Sequence, residues 1–325
     1  MMNDPTRMVI VLMAAILLDL IYGEHKGLLL KIHPTVVCSS IARYVIRPYG
    51  SKLHGVATLL IPLLLTVTIY TLIQHVSLYV LGGIGYLLIS AFILKMTFSI
   101  RMLYDIVSKA CKCMEEGDWI LARSYVQNIV RRDVSKLDED HVVSAAIESL
   151  FESLVDGYTS PLLYYLIFGV PGALVQRVVN TMDSVVGYKT LEYRDEGYVS
   201  AKADTILNYV PARITAFLII FSAMILGYNW RRGLKILLRD HSKTESVNAG
   251  WPMSAIAGVL GVRLEKINHY RLGDPLEKLT SIKVKEALTI FKLTTMIYTA
   301  GIITILIIAN HYIRLLLQSG GIIFI

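Results

Sequence analysis

Three carboxylates fall at regular spacing in the stretch HVVSAAIESLFESLVDG. Glu148, Glu152 and Asp156 stand at i, i+4 and i+8, which places them on one face of a helix. Val143, Ile147, Leu150 and Leu154 form an apolar stripe opposite them. A solvated face of an amphipathic helix is the plain reading of such a pattern. Two features weigh against it. No Lys or Arg is interspersed to relieve repulsion along the acidic stripe. The helix also runs directly into an apolar segment, so Asp156 is expected near a membrane surface. Clustered carboxylates there suit Mg²⁺, which takes one or two carboxylates together with substrate phosphates. The three acids are therefore candidate Mg²⁺ ligands.

A second polar set follows. Asn180 and Asp183, at i and i+3, share a helix face, and Gly187 is a natural stop. Beyond it come Lys189, Arg194 and Asp195, then Asp204 and Asn208 at i, i+4 on another helix, with Pro211 and Arg213 opening the next apolar run. Two polar helix faces flanking fixed positive charge are suited to clamping a phosphate-bearing substrate. Singly each residue reads as an ordinary loop or cap residue; together, beside the acidic helix and between apolar flanks, they point to a site. The common phosphate loops, the G-x-S-x-G elbow and the H-E-x-x-H zinc motif are all absent from the sequence, and the eight histidines are dispersed.

The elements that must position these residues are membrane-like. The 325 residues are 54% hydrophobic and only 18% charged, with a mean hydropathy of +0.56, whereas soluble domains carry about 25% charged residues. The net charge of +7 comes from basic residues scattered between apolar runs, which fits membrane-facing loops and argues against nucleic acid. Spanning takes about 20 mainly apolar residues. Segments near 8–22, 57–73, 76–98, 159–179, 212–230 and 291–313 meet or approach that length, the first being marginal and lacking a signal-peptide cleavage site, as in an uncleaved anchor. The fourth is interrupted by Gly169-Val170-Pro171-Gly172 and is either a kinked span or a hairpin that turns back. A hairpin is favoured, because re-entry lets Asp156, Asp183 and Asn248 converge near one membrane face. Cys38, Cys111 and Cys113 fit neither a zinc pair nor a disulfide framework and read as free thiols. Strand signals are negligible. The expectation is an all-α, polytopic integral membrane protein: a single domain over 1–325 with about five to six membrane helices, one broken or re-entrant segment and helical polar loops.

Residues 148–216, from ESLFESLVDGYTSPLLYYLIFGVPGALVQ through VPARITA, resemble the central block of the CobD/CbiB family, the membrane-bound adenosylcobinamide-phosphate synthases of cobalamin biosynthesis. A second block, Ser246-Val247-Asn248-Ala249-Gly250-Trp251-Pro252, resembles that family's S-P-N-A-G-W-P motif. Weaker echoes are Asp19 with His33-Pro34, Arg132-Asp133, and Leu272-Gly273-Asp274. This chain departs from the pattern at Ser153, at Val247 and at Gly23-Glu24-His25. The resemblance implies a cell-membrane, multi-pass ligase that joins adenosylcobyric acid to aminopropanol phosphate or a similar amino-alcohol phosphate. It also implies ATP as the activating substrate, Mg²⁺, and company with other cobalamin-pathway enzymes. On that reading Glu148, Glu152, Asp156 and Asp183 are the catalytic candidates. Lys189, Arg194 and Arg213 would clamp phosphates, with Asn180, Asp204, Asn208 and Asn248 also binding substrate. Tyr188 and Trp251 would lie against the corrin face.

Two other classes compete. A Mg²⁺-dependent transferase acting on a lipid pyrophosphate usually shows paired D-x-x-x-D motifs, and here there is one acidic helix. A transporter more often carries breaks in two corresponding halves, and here one is evident.

Overall fold

The computed structural model describes residues 4–188 and 190–318. The helices in chain order are α1 (Pro5–Tyr22), α2 (Leu28–Lys31), α3 (Pro34–Val45), α4 (Lys52–Lys95), α5 (Arg101–Glu116), α6 (Trp119–Gln127), α7 (Glu139–Leu154), α8 (Ser160–Val186), α9 (Tyr198–Leu207), α10 (Tyr209–Ile225), α11 (Trp230–Asp240), α12 (Gly250–Leu260) and α13 (Ser281–Gln318). A π-turn, Val155–Thr159, joins α7 to α8, and two short strands, β1 (Leu264–Lys266) and β2 (Tyr270–Leu272), precede α13. The protein is an all-α polytopic membrane protein, with four helices long and apolar enough to span and a fifth available as a bent pair. Contacts cluster into two units: one holds residues up to Phe98, Pro161–Asp204 and the chain from Thr299; the other holds Ser99–Ser160 and Thr205–Tyr298.

In the first unit α1 starts at an Asp4 cap, which accepts from Thr6 N at 3.1 Å, with Pro5 at a position where a missing N–H costs nothing. Its buried stripe is Met8, Val11, Leu12, Ala15 and Asp19, while Ile10, Met13, Leu17 and Leu20 on the other face are 47–57% exposed. A helix apolar on its exposed face has lipid as its solvent on that side. The buried Asp19 lies 3.4 Å from Lys95 Nζ, so two charges that the apolar runs should exclude sit together inside.

Both long apolar segments of this unit reverse direction at a glycine. A straight 44-residue α4 would be about 66 Å long, twice the hydrocarbon thickness. Instead Gly82 adopts φ 68°, ψ −168°, and Gln74 Nε2 donates to Ser90 Oγ at 2.8 Å and to Tyr86 OH at 3.2 Å. Residues 16 apart in a continuous helix would be about 24 Å apart, so the chain has folded back. The expected boundary between 73 and 76 is thus displaced to Gly82. Helix continues through Gln74 and His75 because their polar groups are satisfied, His75 Nδ1 by Thr71 O at 2.7 Å.

The interrupted segment behaves likewise. Gly169 has φ 68°, ψ −158°, and a Cβ at Gly172 would stand 2.3 Å from Tyr164 O, a carbonyl eight residues earlier. A continuous helix would separate them by about 12 Å. The segment is a hairpin, with Pro171 in the first turn of its second arm, where proline is tolerated.

In the second unit Asp138 caps α7 by accepting from His141 N at 2.9 Å, and Glu139 and Asp140 occupy the first turn, where the helix dipole favours acids. Residues 142–151 of α7 are buried without interruption, so it lacks the free acidic face expected from its spacing. α11 and α12 pack closely because Gly233 and Gly258 meet, a Cβ at the latter being 2.9 Å from the former's Cα. The β-ribbon, absent from the expected elements, pairs Leu264 with Leu272, Glu265 with Arg271 and Lys266 with Tyr270.

Candidate functional site

The acidic face begins with a carboxylate that is already enclosed. Glu148 is 4% exposed and accepts from Ser144 Oγ at 2.5 Å, from Tyr270 OH at 2.6 Å and from Arg132 at 3.4 Å on each oxygen. Ser144 Oγ in turn accepts from Glu265 N at 2.9 Å, so α7 and the β-ribbon are pinned to one another through this carboxylate. Burial comes first and the Glu148 charge second in pushing the Tyr270 hydroxyl well above its ordinary range, so it remains a donor. Both oxygens of Glu148 thus already accept hydrogen bonds from three side chains, a setting that differs from the open acidic face expected from the spacing.

Glu152, one turn on, is exposed and feels the charges of Glu148, Arg131, Lys266 and Arg132. Asp156 sits in the π-turn, where the α-helical register that would align it with the other two acids gives way. Among the described residues no three His, Cys, Asp or Glu side chains gather as a metal-holding group. A Mg²⁺ ion held by one carboxylate and by substrate phosphates fits Glu152; a three-carboxylate cage does not fit the described residues.

The N-A-G-W-P loop makes a second polar group within the same unit. Ser246 Oγ accepts from the backbone N–H groups of Asn248 and Ala249, both at 3.3 Å, which sets the turn. Asn248 Nδ2 donates to Thr205 O at 2.8 Å, and its Oδ1 accepts from Arg213 at 2.8 Å. The Arg213 guanidinium carbon lies 3.5 Å from the Tyr209 ring centroid and 4.6 Å from that of Trp251. Arg213 also donates to Tyr209 O at 2.8 Å and Val247 O at 3.3 Å. The expected phosphate clamp thus organises the loop. The Trp251 ring lies tilted against His241 with centroids 4.4 Å apart, and its buried Nε1 has no acceptor among the described residues. Gly250 is obligatory, because a Cβ there would stand 2.0 Å from His241 O. Asn208 is buried just before α10.

The first unit holds the remaining candidates. Asn180 Nδ2 donates to Asp204 Oδ1 at 3.1 Å, joining two residues that spacing alone had placed on separate helices. Asp183 O accepts from Gly187 N at 2.8 Å as α8 ends. Tyr188 is 45% exposed and tilts against Tyr193, and Arg194 is exposed. Lys189 lies outside the described residues.

Sequence reasoning missed several polar residues. Tyr270 and Ser144 carried no local signal, and Arg132 and Asp19 entered only as echoes of a family pattern. Glu196 was passed over beside Asp195, yet it is fully buried and accepts from His54 at 2.9 Å, Arg47 N at 3.3 Å and Thr58.

A multi-helix membrane protein with polar groups of this kind at its helix ends is the class the structure defines. Within it, the chain belongs to the CobD/Cbib protein family, whose defining pattern matches residues 12–300. It is 43% identical over 260 residues to a probable cobalamin biosynthesis protein CobD of Aeropyrum pernix, covering 80% of this chain and 81% of that protein. To one of the same name from Methanothermobacter thermautotrophicus it is 38% identical over 301 residues, covering 91% and 98%. To the cobalamin biosynthesis protein CobD of Dehalococcoides mccartyi it is 34% identical over 275 residues, covering 83% and 88%. No solved structure matches the chain.

Proposed function

We propose that this chain is a cell-membrane ligase of cobalamin biosynthesis that joins adenosylcobyric acid to aminopropanol phosphate, or a similar amino-alcohol phosphate, to give adenosylcobinamide phosphate. What carries the reading is family membership over 12–300, together with the Asn248–Arg213–Trp251 group built on the N-A-G-W-P loop.

A carboxylate is a poor acyl donor. In the proposed reaction its oxygen attacks the terminal phosphorus of ATP, releasing ADP and leaving an acyl phosphate. The amine then attacks that carbonyl, the C–N bond forms, phosphate departs with the C–O bond electrons, and the amine loses a proton. Mg²⁺ bound with the nucleotide would supply charge neutralisation, with Glu152 as the protein ligand that fits. Aromatic ring surface suits a large planar corrin, and each unit offers one such ring: Tyr188, 45% exposed, in the first and the half-buried Trp251 in the second. In the first unit Asp183, Asn180, Asp204 and Arg194 offer polar contacts to the amino-alcohol phosphate, with Asp183 the catalytic candidate. Other membrane-associated enzymes of the pathway are the expected partners.

The test is incubation of membranes bearing this protein with adenosylcobyric acid, Mg-ATP and a panel of amino-alcohol phosphates. Product amide detected by mass spectrometry, dependent on ATP and Mg²⁺, is the expected outcome. No amide with any amino-alcohol phosphate defeats the reading.

A further inference from the structure

The β-ribbon borders an open cavity of about 510 Å³ in the second unit. Its lining presents three cations, Lys243, Lys266 and Arg271, against one carboxylate, Glu265, with His269 and Tyr270 between them. Two of the cations are held in place by acids. Lys243 pairs with Asp240 at 2.5 Å, and Arg271 with Glu265 at 2.7 Å across the ribbon. Each still has donors to spare, since an ammonium carries three and a guanidinium five. Lys266 is different. It is half-buried, and its ammonium has no ion-pair partner among the described residues. It is also within electrostatic reach of the exposed Glu152.

The floor of this cavity is not loose surface. Tyr270 is anchored through its hydroxyl to the buried Glu148, and Glu265 N is anchored to Ser144 Oγ. Rotation of the ribbon away from α7 would break both bonds. The backbone that carries Lys266 is thereby held in one place, which lowers the ordering cost of binding at this edge of the cavity.

The geometry points to this cavity as the place where a phosphate-bearing substrate binds, with Lys266 as its principal charge partner. Phosphate oxygens are the ligand chemistry that an unpaired ammonium at the border of a cation-rich cavity recognises. The choice between nucleotide and amino-alcohol phosphate as the source rests on the ligase reading; the site itself rests on the cavity and its charge.

The test is binding. Full-length protein in detergent is titrated calorimetrically with Mg-ATP, aminopropanol phosphate and inorganic phosphate in separate experiments. Lys266→Gln is expected to weaken at least one organic phosphate tenfold or more and to flatten its salt dependence, while Lys266→Arg restores binding. Loss confined to Mg-ATP assigns the nucleotide, and loss confined to aminopropanol phosphate assigns the amino alcohol; either supports the site. Unchanged affinity in Lys266→Gln, or no saturable binding of any probe to the unaltered protein, overturns it. Equal weakening by Lys112→Gln, a change at an exposed lysine of α5 that does not line the cavity, also overturns it, by marking the effect as bulk charge. Amide formation that persists alongside unchanged binding in Lys266→Gln would reject the cavity and leave the ligase reading standing.

Discussion

Tyr270 donates its hydroxyl hydrogen to Glu148 Oε2 at 2.6 Å, joining residues 122 positions apart in the chain. The bond closes the β-ribbon onto α7. It also removes Glu148 from the pool of open carboxylates. Tyr270→Phe keeps the ring and deletes the donor, leaving a buried carboxylate short of one partner. The expected cost is about 1–3 kcal/mol, read as a lower thermal midpoint in detergent. An unchanged midpoint would mean that water replaces the hydroxyl without loss.

Asp183→Asn tests the end of the second arm of α8. The substitution removes charge with almost no change in volume, so the fold is expected to survive. If the carboxylate acts in the transition state, amide formation falls on the order of 100-fold or more. Full activity in Asp183→Asn membranes would reduce it to a helix-end residue.

Gly250→Ala tests the tightness of the N-A-G-W-P loop. The added methyl would stand 2.0 Å from His241 O, a backbone atom that cannot swing aside. A destabilisation of about 1–3 kcal/mol is expected, with faster proteolysis of the 242–249 loop. Wild-type protease resistance would show that the loop has room to shift.

Cysteines placed at 74 and 90, in a background without Cys38, Cys111 and Cys113, test the reversal of α4. A short bismaleimide should join them within one chain, because Gln74 and Ser90 touch at 2.8 Å. Failure to crosslink while both thiols label singly would restore the continuous helix.

The apolar runs were readable because membrane thickness sets their length, and the Gly169 reversal because Gly-Val-Pro-Gly announces it. The Gly82 tip was not, since Gln74-His75 resembles a polar loop until the partners across the hairpin are known. The site was legible as residue types and not as pairings. Spacing found Glu148 but presented it as an open ligand, because Arg132, Ser144 and Tyr270 enclose it only through tertiary contacts. Arg213 read as a phosphate clamp for the same reason: nothing local says that Tyr209 and Trp251 flank its guanidinium. Tyr270 itself lies in a short ribbon whose sequence has no usable periodicity.

The two glycine tips have a bearing on how this protein enters a bilayer. Gly82 lies between Leu81 and Gly83-Ile84, and Gly169 between Phe168 and Val170, with no charged residue within several positions of either. Each hairpin therefore presents an uncharged leading end during insertion. Carrying a Lys or Asp through the hydrocarbon centre costs about 2.5–3.5 kcal/mol per residue on the insertion scale, and a one-glycine turn avoids that barrier. Helices of this sort can be delivered from one side in pairs, with no hydrophilic connection exported. A charge engineered beside Gly82 or Gly169 would then slow membrane integration before it disturbed the finished fold.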